Sequence, residues 1–411
     1  MTEPTNHEAT PAAFEWLKLE KIAPMSGLIA LIGTIAMIGM MVAPGTANQA
    51  VGSWLFAVIF WTSLTLGFFG LTLLHHVVRG SWGLAMLRIL EAGGGWQTLV
   101  TMLVLFVPVV LNIYGGHGVY EWSHAAVVAK DPVLQHKAVY LNPLGYAVRL
   151  LIFFAIWGGL AWGLRQSTVR QDKNSQEGEA QRRTNWSAPG MVIFFLTVTF
   201  ALTDWGMSLE PHWFSTIYPL WIALGQALGA FALATLLICV NARKKPFSDV
   251  IAPGLLKDLG TLLFVLTMLW GYTSISQYLI IWNGNIPEFT QYFVKRSELW
   301  WNAVGATLIL GQFVIPFMLL LSPRTKKSPE KLAKVAGWIF VMRFVDIFYA
   351  VVPGIPSEAR PWGGPIPAIT DLLALAAVGG IWFVVFARQI AQAPLLPEYD
   401  HRLQEAKAHA H

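Results

Sequence analysis

Ten apolar runs follow one another along the chain, and nothing else in the sequence limits its fold so severely. A helix of about 20 residues crosses the roughly 30 Å hydrocarbon core of a bilayer. Helices and closed barrels are the two ways to keep every backbone N–H and C=O bonded there. The runs cover residues 24–43, 51–78, 87–114, 145–165, 188–206, 217–241, 257–282, 299–321, 333–353 and 367–388. They predict an all-α, polytopic membrane protein with about ten transmembrane helices. Composition points the same way. Of 411 residues only 12% are charged, against about 25% in soluble domains. The expected organisation is a terminal segment 1–23, a transmembrane domain 24–388 and a tail 389–411. The first 23 residues are polar, with no apolar core of a cleavable signal before Pro24. Within them Phe14–Ile22 is short and amphipathic, suited to lying on a membrane surface.

The formal net charge is +5, but the basic residues sit in short loops, which argues against nucleic-acid binding. Six of them, Lys130, Lys137, Arg149, Lys295, Arg296 and Arg360, fall on the side away from the termini. Arg343 lies inside the ninth run, and all the others fall on the side of the termini. Cytoplasmic loops carry the excess of Lys and Arg, so both termini are expected in the cytoplasm, as in a bacterial inner (cytoplasmic) membrane protein. The connection 166–187 is the most polar and reads as the most mobile loop. The opposite loops, Gly115–Pro143, Asp204–Tyr218, Trp282–Trp300 and Pro353–Pro367, are rich in Trp, Tyr, His and Pro and read as partner-docking surfaces.

Runs two to five and six to nine share a layout. In each set a long outer loop follows the second helix, a basic inner loop follows the third, and the fourth carries an acid, Asp204 or Asp346. This predicts two four-helix bundles, about 51–206 and 217–353, plus two peripheral helices.

A charge near the bilayer centre costs about 2.5 kcal/mol or more, so each ionisable residue in a run needs a reason. The inner group is His75, His76 and Arg79, with Arg88 and Glu91 three apart on one helix face. Histidine titrates near neutrality and can hand a proton to a neighbouring acid. The outer group is Asp204, Glu210 and His212, with Arg343, Asp346 and Tyr349 spaced by three along the ninth run. These groups suit proton transfer, and equally suit snorkelling anchors and structural ion pairs. Between them Tyr272, Thr273, Ser274, Ser276, Gln277 and Tyr278 of the seventh run would line a water wire or bond helix to helix. Adjacent His75 and His76 point about 100° apart on a helix and cannot sandwich one haem. The single cysteine, Cys239, allows no internal disulfide or iron–sulfur site. No Walker A, HExxH or strand-borne GxGxxG occurs, and GGHG at 115–118 is a plain turn. The chain has proton-handling groups and no electron carrier. That fits a transporter, or the membrane part of a redox complex with its centres on other subunits.

Two stretches are more specific. Leu202–Pro219, LTDWGMSLEPHWFSTIYP, and Gln277–Arg296, QYLIIWNGNIPEFTQYFVKR, closely resemble the ActF-type membrane subunits of bacterial alternative complex III. These belong to the NrfD/polysulfide-reductase membrane-anchor family. The resemblance spans roughly helices two to ten. It implies two four-helix bundles and a place in a quinol:cytochrome c/electron-acceptor oxidoreductase of the respiratory chain. It implies menaquinol or ubiquinol as the lipid-soluble reductant, with haem and iron–sulfur clusters on partner subunits and none covalently bound here. The implied partners are a sister NrfD-like subunit (ActC), an iron–sulfur subunit, c-type cytochrome subunits and membrane lipids. For this chain it implies proton translocation, and a quinone pocket between the two bundles. It carries Asp204, Glu210, His212, Trp282, Asn283, Asn285, Glu288 and Tyr292 as motif residues. The alternatives are a quinone-reactive anchor of another NrfD-type oxidoreductase, or a stand-alone secondary transporter.

Overall fold

A computed structural model describes residues 19–115, 118–174, 178–356, 368–397, 400 and 403. The surface segment read at Phe14–Ile22, the turn at GGHG, most of the loop Pro353–Pro367 and most of the tail lie wholly or partly outside them. The described residues contain helices and no strand. Ten helices are long and apolar enough to cross a membrane: α1 Ala23–Val42, α2 Ala47–Val78, α3 Leu87–Tyr114, α4 Pro143–Asp172, α5 Glu179–Leu209, α6 Ile217–Val240, α7 Pro253–Gly284, α8 Leu299–Leu321, α9 Pro329–Gly354 and α10 Ile369–Ala391. The chain is an integral, multi-pass, all-α membrane protein.

Local chemistry sets the helix ends. Proline stands in the first turn of α7 and α9, where its missing N–H costs nothing. Ser328 caps α9 by accepting from the Lys331 N–H. The helix of α2 stops at Arg79 and that of α7 at Asn285, both in the left-handed conformation.

One loop departs from expectation. Segment 166–187 is not an open connection: α4 runs on to Asp172 and α5 already starts at Glu179. Its polar residues zip the two helices together beyond the apolar slab. Ser167 donates to Glu179 at 2.5 Å, Arg170 to Glu179 at 3.0 Å and Arg183 to Ser167 at 3.2 Å. Hydropathy ends a span where polar residues begin, but a helical hairpin stabilised by side-chain pairs continues through them.

The helices close into two rings. α2, α3, α4 and α5 pack in succession, and α5 returns to α2. α6, α7, α8 and α9 repeat the arrangement, with α9 returning to α6. α2 packs directly on α6 and joins the rings, while α1 and α10 pair with each other against α2. Burial follows this plan: 83% of the most apolar stretch of α2 is buried against 17% for α1, at the periphery. Small residues permit the central contact. A Cβ at Gly67 of α2 would lie 2.0 Å from the carbonyl oxygen of Gln226 on α6. A Cβ at Gly225 would lie 2.2 Å from the Arg343 guanidinium of α9.

Gly67→Val therefore forces α2 away from α6. It is expected to lose about 1–3 kcal/mol as an overpacked contact between rigid backbones. Gly159→Ala, which meets nothing within 4 Å, serves as the neutral control. Melting temperature and elution profile in detergent check both.

Candidate functional site

The ionisable residues of the spans gather at two levels. On the side that carries most of the Lys and Arg, here the basic side, Arg88 of α3 is buried at 3% exposure. It pairs with Glu91 at 2.8 Å, as the spacing of three predicts, and also with Asp172 of α4 at 2.6 Å. Glu91 takes two further partners from α4, Thr168 at 3.0 Å and Arg165 at 3.5 Å. Glu91 lines two small cavities of about 10 and 20 Å³. Each is wide enough for about one water molecule. Arg88, Arg165, Gln97 and Gln389 line the first. Phe69, Thr72 and Leu164 line the second, deeper among apolar groups.

His75 and His76 are buried in the last turn of α2, with ring centroids 5.7 Å apart. His75 lies edge-on to Trp82 at 5.3 Å, on the space that Gly83 leaves open. His76 is an electrostatic neighbour of Glu91, and its buried Nε2 has no partner among the described residues. The structure thus brings together His75, His76, Arg88 and Glu91. It adds Arg165, Thr168 and Asp172, which sequence reasoning missed because α4 was ended at residue 165.

At the opposite level each ring has a buried acid held by an arginine. In the first, Asp204 is 1% exposed and accepts from Arg149 at 2.7 and 3.1 Å. The Arg149 guanidinium stacks 3.8 Å over the Tyr140 ring and donates to the Tyr140 carbonyl. Beside the second ring, Glu210 accepts from Arg296 at 2.9 Å. Arg296 also donates to the carbonyls of Tyr292, Tyr349 and Ala350 and stacks 3.5 Å over Tyr292. Burial works against the charge of Arg296, but Tyr292 and Glu210 outweigh it and raise its pKa above the ordinary value. In both cases a tyrosine shortly before the arginine supplies its platform.

Within α9, Arg343 pairs with Asp346 as the spacing of three predicts, and Trp270 of α7 donates to the same carboxylate at 3.2 Å. The other carboxylate oxygen, Asp346 Oδ1, is buried without a partner among the described residues. His212 stands apart from the buried acids, 40% exposed, and contacts Asp131 at 2.9 Å. Two further buried acids carry no role in the sequence analysis, Glu179 at the start of α5 and Asp371. Asp371 opens α10, accepts from Ser53 of α2 at 2.7 Å and from the Ala368 N–H, and so caps its own helix.

The polar stripe of α7 does not form a wire between the two levels. Tyr272 is 69% exposed on the outside of the chain, which removes it from any route through the interior of the rings. Thr273 and Ser274 return their hydroxyls to carbonyls of their own helix. Gln277 accepts from Ser215 at 3.0 Å. Tyr278 and Tyr349 instead line a cavity of about 710 Å³ inside the second ring. This cavity lies among α6, α7, α8 and α9, not between the rings, where Gly67 packs on Gln226. Of the motif residues at the end of α7 and after it, Tyr292 is buried, Trp282 and Asn285 are exposed and line the cavity, and Asn283 and Glu288 are exposed. Among the described residues no three His, Cys, Asp or Glu side chains converge as a metal site. Compared with known proteins, the chain matches no family model and no curated protein sequence.

The Arg149–Asp204 pair makes an asymmetric prediction. Arg149→Ala strands a buried carboxylate and is expected to cost roughly 3–5 kcal/mol. Asp204→Asn costs less, because Arg149 is 18% exposed and keeps Tyr140. Adding Asp204→Asn to Arg149→Ala should recover part of the loss. Thermal unfolding of the two single variants and the double variant in detergent measures the coupling.

Proposed function

We propose that the chain is a membrane subunit of a quinol:electron-acceptor oxidoreductase of the alternative complex III type, and that its own part is to conduct protons. The two long motifs, the two rings and the buried acids at both membrane levels support this reading. The observation that carries it is Glu91: a carboxylate only 9% exposed at the basic end of the first ring, lining two water-sized cavities and beside His76.

In this reading the basic side faces the cytoplasm. A proton reaches Glu91 through the cavity at Arg165 and Gln389, with His75 and His76 as its relay. Asp204 with Arg149, and Asp346 with Arg343, handle protons at the opposite level, next to Glu210 and Tyr349. Protonating one member of a buried ion pair strands its partner, so each step is coupled to a shift of the paired arginine. Electrons stay off this chain. Menaquinol or ubiquinol is oxidised in the assembly, and iron–sulfur and c-type haem subunits carry the electrons, with an ActC-like sister subunit alongside. The aromatic loops opposite the basic side are the docking surface for those partners. A second reading, the quinone-reactive anchor of another NrfD-type oxidoreductase, draws its support from the cavity in the second ring.

Purification through a tag on this chain should recover an assembly with c-type haem bands in its redox difference spectrum. In vesicles, Glu91→Gln is expected to lower the proton-to-electron ratio while quinol oxidation stays within about twofold of wild type. Asp204→Asn should do the same from the other level. A colourless lone chain sinks the redox-complex reading. Unchanged proton release in both variants removes the proton path.

A further inference from the structure

The two rings differ at their basic ends. In the first, Arg88, Arg165, Arg170 and Arg182 all find a carboxylate, at Glu91, Asp172 or Glu179. In the second, the ion pair among the described residues is Arg243–Glu330, out on the surface. Lys257 at the start of α7, and Arg324, Lys326 and Lys327 between α8 and α9, have no carboxylate partner among the described residues. Asp258, the exposed acid next to Lys257, pairs with none of them. Positive charge therefore collects at one edge of the second ring, where α7 meets the turn from α8 to α9.

Lys326 is the member of this group that the fold builds in. α8 ends at Leu321, and the short helix Pro323–Lys326 folds back onto α7. Gly260 leaves the room: a Cβ there would lie 2.6 Å from Lys326 Cγ. The aliphatic stem thus lies against α7. Its Nζ stands 3.4 Å from the Thr261 hydroxyl and 5.7 Å from the centre of the Phe264 ring. Thr261 gives its own proton to the Lys257 carbonyl at 2.8 Å, so it accepts from the ammonium. An ammonium has three protons to donate, and this one makes a single long hydrogen bond among the described residues. Thr261 and Phe264 belong to the apolar run 257–282. The ammonium therefore stands at the level of the first apolar turns of α7, where a charge calls for a counter-charge or water.

An aromatic floor continues from this point into the span. Phe264 stacks on Phe317 of α8 with centroids 5.4 Å apart, and Phe317 contacts Phe313 at 5.7 Å. Met268 follows Phe264 by one turn of α7, Val314 and Leu321 lie one turn to either side of Phe317, and all three are exposed. A cation at the rim of an apolar groove between two helices is the complement of a phosphate carried on acyl chains.

We infer that the groove where α7 meets the α8–α9 turn is a binding site for an anionic phospholipid from the leaflet on the basic side. Its phosphodiester accepts from the Lys326 ammonium, and an acyl chain lies along Phe264 and Phe317. Lys257, Arg324 and Lys327 favour a head of net negative charge, because a zwitterionic head brings its own cation to a surface already positive. The inference rests only on the chain spanning a bilayer and is independent of the proton path.

The test is native mass spectrometry of the full-length protein, purified in mild detergent and titrated with phosphatidylglycerol. Wild type should bind a first phosphatidylglycerol at least about fivefold more tightly than phosphatidylcholine. Lys326→Met keeps the stem on Gly260 and removes the ammonium. It should weaken that first lipid about fivefold, the share of one lysine at an anionic head. Lys244→Met removes the same charge from the exposed loop between α6 and α7 and should leave the affinity unchanged. Unchanged elution and melting show that both variants fold. Millimolar inorganic phosphate should not displace the lipid, because the acyl chain holds it. Displacement assigns the site to free phosphate and overturns the lipid. Equal affinity in wild type and Lys326→Met, equal losses in the two variants, or equal affinity for phosphatidylcholine also overturns it.

Discussion

Water is absent from the slab that these helices cross, and that absence decides where each ionised group can stand. A lone charge there is costly, and a buried pair with one member removed costs roughly 3–5 kcal/mol. Within the spans and at their ends the structure meets this constraint with arginine–carboxylate pairs, several of which tie one part of the chain to another. Arg88 links α3 to α4 through Asp172, Arg149 links α4 to α5 through Asp204, and Arg296 ties the approach to α8 onto Glu210 after α5. Arg343 and Asp346 pair within α9 and reach α7 through Trp270. Apolar packing in lipid has little directional preference. These pairs therefore contribute much of what sets the height and rotation of one helix against the next.

The same economy shapes the proposed chemistry. A carboxylate held by arginine is anchored until its partner moves, which makes proton transfer and helix movement one event. Glu91 differs from Asp204 in lining two small cavities. It has room for the water that a proton needs to arrive, whereas Asp204 is gripped by two hydrogen bonds from Arg149.

The rings share a plan and differ in packing. In the first, the aromatic side chains Tyr120, Trp122, Tyr146 and Trp205 fill the half that lies opposite the basic side. In the second, the corresponding half holds the large cavity, where Gly305 and Ala306 leave room beside the π-helical segment Leu308–Val314.

The sequence by itself determined the ten spans, because bilayer thickness turns a run of about twenty apolar residues into a crossing helix with little ambiguity. It also determined the Arg88–Glu91 and Arg343–Asp346 pairs, since residues three apart on a helix share a face. Asp204 and Arg149 were within reach too: one lies near the end of a span and the other near the start of the span before it, hence at one depth. That pairing was hidden because Arg149 counted as a loop charge. Only the tertiary structure decided that Tyr272 is exposed, that α4 and α5 run on past the apolar runs and pair through Ser167, Arg170, Glu179 and Arg183, and that the large cavity lies inside the second ring. Those outcomes depend on how each helix is rotated about its axis and how closely it approaches its neighbours. Rotation and approach come from side-chain fit between distant parts of the chain, which no run of adjacent residues encodes.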